Sequence, residues 1–478
     1  MKILYAASEA VPFCATGGLG DVIGSLPQAV KSSLGKKGDV RVVIPMYPAV
    51  KTNFKDRAEL IWEGEISLAW RRQYMGIWRY LADGVTCYFI DNEYYFRRES
   101  CYGNFDDGER FAFFSAAVLE LIEIESFWPD IIHANDWQTA LIPVYLRLWY
   151  GGREKYDSIK TVYTIHNISY QGIYSPEILW DVFGIWDRDR SIVDYRGAIN
   201  LTKGAIVASD AVTTVSPTYA SEILTEHYAS GLHYILREHS GKLCGIINGI
   251  DEKKYDPRTD KNIAENYSTE SLSGKLACRR ELCRMCGFDD NGPPVIAMVS
   301  RLASHKGFDL VERVIQEMLG AGDARFVLLG TGEKRYEDYF LYIDRIFRGR
   351  FKAFITFDPA LASKLYAGAD MFLMPSESEP CGLAQMIASR YGAVPIVRET
   401  GGLADTIKSV RDDNGEGNGF TFANYNAHDM MYTIRRAVSY YNDKDTWKKL
   451  TQRIMEIDFS WDRSAAEYIK LYRSVMEK

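Results

Sequence analysis

Short runs of β-branched and aliphatic residues alternate with longer segments whose apolar positions recur every three or four residues. That pattern predicts a parallel sheet covered by helices. In the first half, strands are expected at 2–7, 40–44, 86–91, 130–134, 160–165 and 211–215, with helices over 20–34, 109–125, 137–149 and 197–208. From Asn248-Gly249-Ile250-Asp251 the chain turns polar, through Tyr255-Asp256-Pro257 and on to Ser273, as a linker followed by a joining helix would. A second βα series then begins. Its strands are expected at 294–300, 325–329, 353–357, 370–374 and 394–397, its helices start near Gly307, Lys334, Pro359 and Pro380, and 463–476 reads as one amphipathic helix. No internal repeat or low-complexity tract interrupts this order.

A chain of 478 residues is longer than one hydrophobic core usually supports, so two α/β domains of roughly 200 residues each are expected. With 47% hydrophobic and 25% charged residues, there is ample apolar material for both. The net charge of -7 gives no general attraction to nucleic acid or acidic membranes, which disfavours both as partners. The opening Met1-Lys2-Ile3-Leu4-Tyr5 leads into an apolar segment too short for a signal-peptide core, and no stretch approaches the ~18 apolar residues of a membrane span; a cytoplasmic location is expected. Among the eight cysteines, Cys278, Cys283 and Cys286 match an iron–sulfur spacing. Their surroundings look helical, however, which would put the second and third sulfurs about 140° and 80° around from the first. Separate helical thiols, and no metal, are expected.

In open α/β sheets ligands lie beyond the carboxyl ends of the strands. Reactive side chains gather there: Asp136 after the strand ending near His133, His166 after Thr161 to Ile165, Arg301 and Lys306 after Val295 to Ser300, and Glu377 and Glu379 after Ala369 to Pro375. Thr16-Gly17-Gly18-Leu19-Gly20-Asp21 joins the first strand to the first helix, where backbone amides and the helix terminus suit an anion. The long approach from Ser8, and the lack of an acidic residue closing a second strand, argue against a dinucleotide fingerprint and an oxidoreductase. Arg301 and Lys306 could neutralise a diphosphate without metal, and a second Thr-Gly-Gly-Leu at Thr400 to Leu403 offers another anion seat. Asp136, His166 and Glu379 are each ambiguous singly, since Asp136 could simply cap the helix starting at Trp137. Carboxylates beside a breaking glycosidic bond would stabilise positive charge at the anomeric carbon while cations hold the departing phosphate.

These residues occur in motifs that resemble the bacterial glycogen synthase and plant starch synthase family from Met1 to Lys478. The motifs are Thr16-Gly17-Gly18-Leu19-Gly20-Asp21-Val22, His133-Ala134-Asn135-Asp136-Trp137, Thr164-Ile165-His166-Asn167-Ile168, Ile247-Asn248-Gly249-Ile250-Asp251, Ser300-Arg301-Leu302 with Lys306-Gly307, Glu379-Pro380-Cys381-Gly382-Leu383, and Thr400-Gly401-Gly402-Leu403-Ala404-Asp405. The resemblance implies a GT-B architecture: a Rossmann-like acceptor domain over 1–250 and a Rossmann-like donor domain over 251–458, facing across a deep cleft, with a helix over 459–478 packing back on the first. It implies α-retaining transfer of glucose from ADP-glucose to the non-reducing end of an α-1,4-glucan, with no cofactor. Arg301 and Lys306 would bind the donor diphosphate, as would the backbone of Gly17, Gly18, Cys381, Gly382, Leu383, Thr400 and Gly401. Phe357 would stack on adenine. Glu379, His166 and Asn248 would hold the transferred glucose, Asp136 would line its reacting face, and Tyr94 or Tyr95 would sit near the acceptor.

One position departs from the family. Its first signature is Lys-x-Gly-Gly-Leu, and Ala15 occupies the lysine position. Losing one charge-assisted hydrogen bond costs about 1.5 to 3 kcal/mol, or about ten- to 150-fold in rate if it acts in the transition state. A glucan-binding or regulatory homologue with weakened or lost catalysis is therefore the alternative to an active synthase.

Overall fold

The computed structural model describes residues 1–477, in two compact units: residues 1–249 with the segment from Trp461 onward, and residues Ile250–Ser460. Strands of the first unit are β1 (Lys2–Ala6), β2 (Asp39–Pro45), β3 (Glu59–Leu68), β4 (Arg71–Ala82), β5 (Val85–Asp91), β6 (Ile131–Asn135), β7 (Lys160–Ile165), the short β8 (Ile173–Tyr174), β9 (Asp194–Tyr195) and β10 (Ala198–Asn200), then β11 (Ala211–Thr214) and β12 (Leu243–Gly245). Among the described residues its main sheet has the order β12-β11-β7-β6-β1-β2-β5-β4-β3, parallel from β12 to β5. The parallel strands are buried on both faces and mostly apolar, with a few buried polar residues such as His133 and Thr164; Ile3, Leu4, Tyr5 and Ala6 are all fully buried.

The edge differs from the reading of the sequence. β3 and β4 form a long antiparallel hairpin beyond β5, in a region where no strand was expected. Glu59, Leu60, Glu63 and Glu65 are exposed, so this edge lacks the buried apolar run that marks the inner strands, and its turn carries Ala69 at φ 52° where glycine is the usual residue. The segment 137–149 is a 3₁₀ turn, Trp137–Thr139, followed by a helix, Leu141–Trp149. The helix expected from 197 begins at Leu201, after β10, because the Asn200 side chain accepts the Lys203 amide at 2.9 Å and caps it.

In the second unit, β13 (Val295–Val299), β14 (Arg325–Leu329), β15 (Phe351–Phe354), β16 (Met371–Met374), β17 (Val394–Arg398) and β18 (Phe420–Phe422) form a parallel sheet of order β15-β14-β13-β16-β17-β18. β15 sits earlier than the expected 353–357, leaving Phe357 on the following loop, and the helix expected near Pro380 starts at Ala384. Cys278, Cys283 and Cys286 lie buried in the helix Ser273–Cys286, with the Cys286 thiol pushed up to about 12 by burial.

The helix Trp461–Met476 is part of the first unit. Ser464 Oγ donates to the carbonyl of Ile247 at 2.6 Å, and the buried Tyr472 hydroxyl lies 2.8 Å from that of Tyr5 on β1. No helix among the described residues is long and apolar enough to cross a membrane.

Candidate active site

In the first unit, β6 and β7 end side by side with Asn135 opposite Thr164, and the next residues carry the candidate chemistry. Asp136 adopts φ 58°, ψ 177°, a conformation that costs a residue with a Cβ about 1–3 kcal/mol. Neighbouring bonds hold it there. Its amide donates to the Thr164 carbonyl at 2.9 Å, its carbonyl accepts the Thr139 amide at 3.1 Å, and its Oδ1 accepts the amide of His166 at 2.8 Å. The carboxylate therefore binds the β7 exit; it makes no cap on the turn starting at Trp137. Burial pushes the Asp136 carboxyl up to about 7, the Glu9 charge adds to the rise, and the amides of His166 and Asn167 oppose it. His166 Nε2 is 3.0 Å from Asn135 Oδ1, and burial holds this imidazole down at about 3, hence neutral near pH 7.

A carboxylate that must be ionised to stabilise positive charge gives a pH-dependent rate. Transfer is expected to rise as pH climbs through about 7 and then level off, because Asp136 is protonated below that point while His166 is neutral on both sides of it. In Asp136→Asn the residual rate should lose this limb. A wild-type profile flat from about pH 5.5 to 8.5 would contradict the assignment.

The glycine loop lies on the same unit. Gly17 caps the helix Gly18–Leu34, and a Cβ at Gly17 or Gly18 would meet no protein atom within 4 Å, so a ligand can approach both amides. Two loops are tied together by Glu9, a residue to which reading of the sequence assigned no task. Buried to 2% exposure, its carboxylate accepts from the Thr16 amide, from Thr16 Oγ1 at 3.0 Å and from the Tyr102 hydroxyl. The signal was present, since Glu9 follows a buried strand just as Asp136 does. Ala15 is exposed, with its Cβ facing Gly20. Asn248 is buried, and its Oδ1 has no hydrogen-bond donor among the described residues. Of the two tyrosines expected near an acceptor, Tyr95 is fully buried, with its hydroxyl donating to Glu109 at 2.5 Å, while Tyr94 is 65% exposed.

In the second unit Arg301 follows β13 and is exposed, and Lys306 ends the 3₁₀ turn Ser304–Lys306. Gly307 is required twice over, by φ 77° and because a Cβ would stand 2.1 Å from the Pro375 carbonyl oxygen. That close approach brings Lys306 onto the loop after β16. Its Nζ donates to both Glu379 oxygens, at 2.9 and 2.7 Å, and Ser376 Oγ adds a third bond at 2.9 Å. Lys306 and Glu379, which sequence reading gave separate tasks, form one ion pair. Glu379 also anchors the next loop, because its carbonyl accepts the Gly402 amide at 3.1 Å and a Cβ at Gly401 would approach that oxygen to 2.0 Å. Gly382 turns the chain at φ 70° before the helix Ala384–Arg390, which Leu383 caps; Cys381 and Thr400 are buried beneath. Phe357 stands 86% exposed, an open aromatic face at the carboxyl edge of β15.

Two parallel-sheet units, each with glycine-lined helix starts and charged groups beyond its strand ends, define a GT-B glycosyltransferase. A family model described as "Starch synthase catalytic domain" matches residues 2–238, and one described as "Glycosyl transferases group 1" matches residues 287–453. The chain is 47% identical over 483 residues to a glycogen synthase of Clostridium novyi, with 100% of each chain covered. It is 45% identical over 479 residues to a glycogen synthase of Bacillus subtilis, covering 99% of this chain and 98% of that one. Among solved structures, the catalytic domain of starch synthase IV from Arabidopsis thaliana, bound to ADP and acarbose, is similar at TM-score 0.89 and 34% identity, covering 100% of this chain and 99% of that one. The chain belongs to the glycogen synthase and starch synthase family, and is a glucosyltransferase of glycogen or starch synthesis acting with a nucleotide-sugar donor and a glucan acceptor. Nothing in these similarities favours a homologue without turnover.

Proposed function

We propose that the chain transfers glucose from ADP-glucose to the non-reducing end of an α-1,4-glucan with retention at the anomeric carbon. The observation that carries the choice of donor is the similarity, over essentially the whole chain, to a starch synthase solved with ADP. In this reading Arg301, Lys306 and the amides of Gly17, Gly18, Gly382, Leu383 and Gly401 neutralise the departing diphosphate, while Phe357 stacks on the base. Asn248, His166 and Glu379 hold the hydroxyls of the transferred glucose, and Tyr94 meets the acceptor. As the bond to the phosphate breaks, the Asp136 carboxylate faces the developing positive charge, and the glucan hydroxyl attacks on the face the diphosphate leaves. The hydroxyl's proton passes to a departing phosphate oxygen.

Glycogen incubated with radiolabelled ADP-glucose should take up label, and UDP-glucose in excess should compete poorly. Efficient transfer from UDP-glucose and none from ADP-glucose would overturn the donor assignment. Ala15→Lys is expected to raise kcat/KM for ADP-glucose by roughly tenfold, the lower end of one charge-assisted hydrogen bond. Ala15 is an exposed residue, so a longer side chain can extend into solvent and folding should be unaffected. An unchanged kcat/KM would show that the diphosphate needs no cation from this loop.

A further inference from the structure

Asn135 has so far appeared only as a residue within a motif, yet its bonding leaves the amide one orientation. It is 1% exposed, at the end of β6. Its Nδ2 donates to two backbone carbonyls, those of Ala6 at 3.2 Å and His133 at 3.0 Å. Turning the amide over would set Oδ1 against both oxygens and forfeit both bonds, so Oδ1 faces His166. An amide oxygen can only accept. His166 Nε2, 3.0 Å away, must therefore carry the ring proton, and Nδ1, which has no hydrogen-bond partner among the described residues, is left with a lone pair.

We propose that Asn135 is a positioning residue that locks His166 in the Nε2–H tautomer, so that Nδ1 accepts a hydrogen bond from a hydroxyl of the transferred sugar. The role rests on the reading above that His166 touches that sugar. It also explains why an amide, and not a carboxylate, sits beneath the ring. A carboxylate would accept the same proton but favour the imidazolium, whose Nδ1 donates. The other titratable groups beside the ring do not do this in the wild type. His133, from β6, is buried and held down at about 3, and Asp136 turns its carboxylate to the amides of His166 and Asn167.

The test uses the full chain labelled with [15N]histidine and long-range 1H–15N correlation, with His166→Gln assigning the ring. In the wild type His166 should show a protonated Nε2 and a bare Nδ1 that does not titrate between about pH 6 and 8. In Asn135→Asp the ring should titrate within that window. Its pKa is raised, so the ring is protonated at low pH; kcat should fall at least tenfold on the acid side and return towards wild type on the alkaline side. In Asn135→Leu the Nδ1–H form should appear and kcat should be low at every pH. A His166 spectrum unchanged in both variants would overturn the proposal while leaving the transfer assay of the wild type untouched. Altered spectra with unaltered kcat would overturn it too, and would remove His166 from the sugar. Failure of wild-type transfer from ADP-glucose is read before any variant is made. Asn135→Asp preserves shape, so a folding failure of Asn135→Leu leaves the titration and its rate profile to decide.

Discussion

Asp136→Gly is expected to cut transfer about 10²- to 10³-fold, the cost of removing one group that stabilises transition-state charge, while leaving the protein nearly as stable as before. The two effects separate because Asp136 is strained. At φ 58°, ψ 177° glycine relieves about 1–3 kcal/mol. Loss of the bond from the His166 amide to Oδ1 takes back a similar amount, about 1.5–3 kcal/mol, since that acceptor is charged when ionised. A denaturant midpoint close to wild type alongside a collapsed rate would mean that the strain is retained for chemistry. If Asp136→Gly transferred glucose within tenfold of wild type, Asp136 would have no part in the reaction.

The second large effect concerns the ion pair in the other unit. Lys306→Ala strands the Glu379 carboxylate, whose side chain is only 8% exposed, with Ser376 as its remaining side-chain partner. Removing one member of a buried pair costs about 3–5 kcal/mol; with the Lys306 side chain itself 19% exposed, the lower end is expected. Adding Glu379→Gln should recover most of that loss because no unpaired charge remains, yet the double variant should stay inactive, both donor-side groups being gone. Chemical denaturation of the four proteins of the cycle measures the coupling. Additive losses, with no recovery in the double variant, would show that the pair has no structural role and that Lys306 serves the donor alone.

Local pattern carried a large part of the architecture. Apolar runs such as Ile3 to Ala6 and Val295 to Val299 mark strands buried in the sheet, and the structure has them there. The same logic put Asp136, His166, Arg301 and Glu379 just beyond strand ends, where the structure also has them. The β3–β4 hairpin escaped because an exposed edge need not repeat an apolar period, and the burial of Tyr95 beside the exposed Tyr94 was not legible because a tyrosine in a short helix looks the same whether its ring faces solvent or core. Glu9 and Asn135 were passed over for a different reason: each acts through partners far along the chain, Tyr102 for one and His166 for the other.

The sequence alone determined the two βα series, the strand ends that carry charge, and the motifs that place the chain in its family. These depend on residue type and short-range period, which burial imposes locally. Only the tertiary structure decided that Lys306 closes on Glu379, that Asp136 is bent to grip the β7 exit, and that an amide fixes the proton on His166. Each of those is a hydrogen bond between segments brought together by sheet register and by close backbone contact at glycines such as Gly307 and Gly401, and its length and direction have no counterpart in the order of residues along a chain.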